Sequence, residues 1–75
     1  MDIFKKVEEN FDNEYNTFTR LYDNPPRWYD KEKDRDTTIV RLLAVAMFAQ
    51  SLGVAYEEID PLYNYYKEKI ENYGK

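Results

Sequence analysis

Thr37–Leu52, TTIVRLLAVAMFAQSL, is the stretch that decides the fold. From Ile39 to Leu52 only Arg41, Gln50 and Ser51 are polar. Successive helical residues turn by about 100°, so with Ile39 at zero Gln50 falls at about 20°, Ser51 at about 120° and Arg41 at about 200°. The polar residues point in different directions, and a helix apolar all round must be covered all round. Ala46, Ala49 and Gly53 form a side of small residues that lets another helix come close. Val40, Leu43 and Met47 form a bulkier side, and Val45, Phe48 and Leu52 a third.

On the N-terminal side, Phe4, Val7, Phe11, Tyr15, Phe18 and Tyr22 recur every three or four residues. This predicts an amphipathic helix over residues 2–22, one wall of the core, with Asp2 as its cap. Asp23-Asn24-Pro25-Pro26 ends it, because proline lacks the amide proton and turns the preceding residue away from helical geometry. Arg27-Trp28-Tyr29 then reads as an aromatic loop, which either plugs the core or anchors a partner. Asp30–Asp36, DKEKDRD, alternates in sign. It is not a calcium loop, since the sixth and twelfth positions counted from Asp30, where an EF-hand needs Gly and Glu, are Arg35 and Arg41. A solvated linker or first helical turn fits better, with Asp34 or Asp36 capping the central helix.

On the C-terminal side Gly53 suits the end of the central helix. Val54–Ile59 reads as a turn, with a short helical piece as the alternative, and Asp60-Pro61 as a helix start. Leu62, Tyr66, Ile70 and Tyr73 then repeat at helical spacing, predicting a helix over 60–73. The expected fold is all-α: one domain of three helices, near 2–22, 37–52 and 60–73, with the apolar helix in the middle.

Composition narrows the chemistry. Among 75 residues there is no Cys and no His, which removes disulfides, thiolate metal sites and the usual neutral-pH acid–base group. Ser51, the one serine, sits in the apolar helix, and two glycines cannot build a phosphate cradle. Glu57, Glu58 and Asp60 read as a solvated acidic turn. No enzyme activity, cofactor or metal is expected. MDIFKKVEEN has no apolar core of a signal peptide, and the longest apolar run, Leu42–Ala49, is far below the ~20 residues that span a bilayer. A cytoplasmic location away from membranes is expected.

Ala49-Gln50-Ser51-Leu52-Gly53-Val54, followed by Ile59, resembles the helix-turn-helix signature, with a small residue four before the turn glycine and an aliphatic six after it. The resemblance implies a DNA-binding regulator. The segment that would read bases, Ala55–Tyr63, carries Glu57, Glu58 and Asp60 and no cation, and carboxylates are repelled by phosphates. With a net charge of −4, nucleic acid is a disfavoured partner.

What remains is aromatic surface: 17% of residues, eight of them Tyr. Tyrosine combines apolar area with a hydroxyl, which interfaces favour. The expected function is a non-enzymatic protein-interaction module, such as an adaptor, inhibitor or accessory protein of the kind phages and mobile elements carry. Its partner is expected to be basic, with Arg27, Trp28, Tyr29, Tyr56, Glu57 and Glu58 as contact residues. An acidic surface that competes with nucleic acid for a basic protein is the further alternative. Because two neighbours cover only about two sides of the central helix, a homodimer through Val40, Leu43, Ala46, Met47 and Ala49 is expected, unless the 23–36 segment closes the third side.

Overall fold

The computed structural model describes residues 2–75, and three helices make up the fold: α1 (Ile3–Asp23), α2 (Lys31–Ser51) and α3 (Tyr56–Asn72). All three pack against one another. Phe11 and Phe18 of α1 meet Tyr66 and Tyr73 of α3 in the same order, so those two helices run parallel. Arg35, near the start of α2, reaches Ile70 and Glu71 at the end of α3, so α2 runs against both.

α1 forms where the aromatic spacing placed it. Asp2 accepts from the Lys5 amide at 3.2 Å, and Val7, Phe11 and Phe18 bury the stripe. The other two helices begin earlier than their punctuation suggested. α2 starts at Lys31, six residues ahead, and its cap is Asp30 rather than Asp34 or Asp36: the Asp30 carboxylate accepts from the Lys33 amide at 3.1 Å. Glu32 and Asp34 in the first turn suit the positive end of the helix dipole. The alternating charges are therefore helix, with Arg35 alone turned inward.

α3 starts at Tyr56, and Pro61 lies inside it. Asp60-Pro61 is not its start, because the apolar stripe runs one turn further back to Ile59, which is fully buried. Core burial of Ile59 outweighs the hydrogen bond that Pro61 forfeits near the N-terminal end. Ala55 occupies the cap position without a side-chain hydrogen bond. Between α2 and α3 the Gly53 amide donates to Gln50 O at 3.0 Å and the Val54 amide to Ala49 O at 3.1 Å. This is the Schellman pattern, and Gly53 supplies the positive φ of 100° that it needs.

Arg35 ties the three helices together. It is a 4% exposed cation, donating through Nη1 to Ile70 O and to Glu71 O at 3.2 Å. These carbonyls lie in the last turn of α3, where the helical amide ladder runs out, Ile70 O keeping only a long contact from the Tyr73 amide at 3.4 Å, and where the dipole has its negative end. The guanidinium sits over the Phe18 ring at 5.5 Å and the Tyr22 ring at 5.6 Å. Its Nε lies 3.3 Å from the exposed Glu32 carboxylate, a contact whose geometry falls short of a hydrogen bond.

Tyrosines staple the helices through carboxylates. Tyr66 donates to Asp12, Tyr73 to Asp23 Oδ2 at 2.7 Å, and Tyr29 to Asp34 Oδ2 at 2.6 Å. Burial, then the Asp12 and Asp34 partners, hold the Tyr66 and Tyr29 phenols above their ordinary value of 10.0. The Asp23 hydrogen bond, then burial, does the same for Tyr73. A raised phenol favours the protonated folded chain, so this stability is complete below pH 10 and is lost as pH rises through the folded-state values. Alkaline titration is expected to show a set of phenolates that appears above pH 10 together with helix loss, followed by tyrosinate absorbance and circular dichroism. If all eight phenols ionise together while the helices stay intact, these pairs contribute nothing.

Candidate functional site

The uncovered side of α2 is the feature from which a site can be built. Arg35, Thr38, Leu42, Ala46 and Ala49 turn inward. Ala46 and Ala49 are therefore not outward-facing contact residues: they lie in the chain's own core, where small side chains let α1 and α3 approach. Val40, Leu43 and Met47 do face outward, joined by Ala44, Phe48 and Leu52. Phe48 is 66% exposed and Met47 61%. A monomer seldom leaves a contiguous apolar patch of several hundred Å² in water.

The 23–36 segment does not close this side. Residues 31–36 are helix, and the loop before them leaves Trp28 80% exposed. Tyr29 is held down by Asp34, with its ring edge-on to Trp28 at 6.5 Å between centroids. Arg27 is also exposed. The three loop residues thus divide: Tyr29 anchors the loop, while Arg27 and Trp28 are presented to solvent.

Beside Trp28 a groove of about 510 Å³ runs between α1 and α2. Thr17 and Leu21 form one wall, Lys33, Thr37 and Arg41 the other, and Trp28 and Tyr29 close the end. Arg41 reaches across it to Glu14 at 3.6 Å, an exposed pair that contributes little energy and fixes the side chain's direction. The groove opens onto the apolar face, since Thr37 and Arg41 neighbour Val40, Ala44 and Phe48 on the helix surface.

Tyr56, Glu57 and Glu58 are exposed in the first turn of α3, where the carboxylates suit the dipole. They stand at the opposite end of α2 from Arg27 and Trp28, and 21 helical residues span roughly 30 Å. Within one chain the two expected contact segments are therefore apart, with the apolar face between them.

Phe48 and Leu52 are the site residues that sequence reasoning left out. Their helical positions grouped them as a third side of α2, yet that grouping does not say which side stays open. Among the described residues no group of three or more Asp, Glu, His or Cys could hold a metal ion, and no helix is long and apolar enough to cross a membrane. Comparison with protein-family models, curated proteins and solved structures gives no match, so a functional reading rests on this chain's own residues.

Proposed function

We propose that this chain is a non-enzymatic protein-interaction module that works as a homodimer in the cytoplasm. The observation that carries the reading is the apolar face of α2, Val40 to Leu52, which the described residues leave exposed. Burying such a face against another protein follows from the hydrophobic effect at roughly 25 cal/mol per Å². The aromatic loop at Arg27 and Trp28 and the acidic turn at Glu57 and Glu58 flank the face and are the contacts offered to a further, basic partner. Trp and Arg commonly dominate interface energies, and the acids favour positive charge.

Sedimentation equilibrium over a wide concentration range tests the dimer. A mass near twice 9.1 kDa is expected at micromolar concentration. A single-chain mass throughout removes the homodimer and leaves the face to a different protein.

A helix-turn-helix regulator is the second reading, supported by the tight Gly53 turn between α2 and α3. It ranks lower because the first turn of α3 presents Glu57 and Glu58. A mobility-shift series in rising salt separates the two: binding that persists at physiological salt with a steep salt slope favours DNA. A third reading is an acidic competitor for a basic protein, whose complex high salt would dissolve.

A further inference from the structure

We propose that two copies pair antiparallel along α2 about a two-fold axis beside Ala44, each seating Phe48 and Leu52 in the groove that the other forms at Leu21, Trp28, Thr37 and Arg41. This rests on the reading of the α2 face as a self-contact and assigns its register.

The groove and the side chains that fill it lie on the same flank of one helix. Continuing the helical positions from Ile39, Thr37 stands at about 160° and Arg41 at about 200°, with Phe48 at about 180° and Leu52 at about 220°. The first two line the groove, and the second two project bare at the other end of α2. A two-fold axis across the helix reverses its direction and keeps its flank. Arg41 then meets Phe48 of the second copy, and Thr37 meets Leu52. Both pairs centre on the same point, between Ala44 and Val45. The aromatic loop of one chain and the first turn of α3 in the other, far apart within a chain, become neighbours.

Ala44 stands at the crossing, where its small side chain lets the backbones close. Thr37 and Ser51 put hydroxyls at the two ends of the apolar stretch, giving the dry centre and polar rim of a stable interface. The area also fits a second copy. The exposed parts of Val40, Leu43, Met47, Phe48 and Leu52 come to roughly 500 Å² per chain, and Trp28 brings this toward the ~800 Å² per partner of a standard interface. The contact is isologous, so it closes as a dimer and leaves no open end for fibres.

The chain has no cysteine, so single cysteines report the register directly. Ala44→Cys is expected to yield a disulfide-linked dimer under mild oxidation. Val40→Cys is not, because its two copies would stand roughly 13 Å apart along the axis, beyond the ~7 Å that a disulfide bridges. Phe48→Glu, at an exposed position, is expected to keep the circular dichroism of the parent and raise the dimer dissociation constant at least about 30-fold. Trp28→Ala should weaken it in the same direction. A two-chain mass with Val40→Cys linking as readily as Ala44→Cys means parallel pairing and overturns the register while sparing the self-contact. A Phe48→Glu chain that still sediments as a tight dimer overturns it likewise. A one-chain mass for the unmodified protein removes both.

Discussion

Arg35→Ala is expected to cost about 3 kcal/mol, measured by urea denaturation followed by circular dichroism. Two contributions add. The last-turn carbonyls of α3 lose a charged donor, and hydrogen bonds to charged groups are worth about 1.5–3 kcal/mol. The aromatic faces of Phe18 and Tyr22 lose the guanidinium stacked on them, leaving a void among packed side chains. For 75 residues, total stability is expected at roughly 4–11 kcal/mol, so the loss is a large share of it. Arg35→Lys should recover only part, since an ammonium keeps the charge but not the flat guanidinium face that lies over Phe18 and Tyr22. Glu32→Ala should stay below about 1 kcal/mol, because that carboxylate is exposed. An Arg35→Ala chain within 1 kcal/mol of the parent would mean that the end of α3 is held by its aromatic contacts alone.

Phe18→Ala is expected to cost about 3–5 kcal/mol, the range for a buried Phe whose site cannot collapse. Phe18 is fully buried. Its ring packs against Tyr22 at 5.8 Å and Tyr73 at 6.0 Å, and it is the floor on which Arg35 rests. The two substitutions therefore share partners, and their combined cost should fall short of the sum of the singles by about 0.5 kcal/mol or more. Full additivity in a double-mutant cycle would show that stacking of Arg35 on Phe18 carries no energy and that only the carbonyl contacts hold it.

Much of the architecture was legible before any tertiary contact. The spacing of Phe4 to Tyr22 marked α1 and its cap, and the apolar run placed a central helix. Gly53 ended that helix where a positive φ is required. The starts of α2 and α3 were not legible, for one shared reason. Polar and proline signals describe local preference, whereas Arg35 and Ile59 each draw an extra turn into helix by what they contact in another element. Arg35 reads as one of a row of charges, and only the fold brings the last-turn carbonyls of α3 to it.

The candidate site divides in the same way. Composition and helical spacing alone give α2 too much apolar surface for its polar residues to shield, because three polar side chains scattered around a helix reserve no face for water. That is a property of composition and a 100° step. Which side stays bare was decided by tertiary structure alone. The small side, Ala46 and Ala49, was expected at a contact between chains, but it is buried in the core of one chain, against α1 and α3. Close packing favours the side that permits the shortest approach, and the bulkier residues from Val40 to Leu52 are left outward as a consequence.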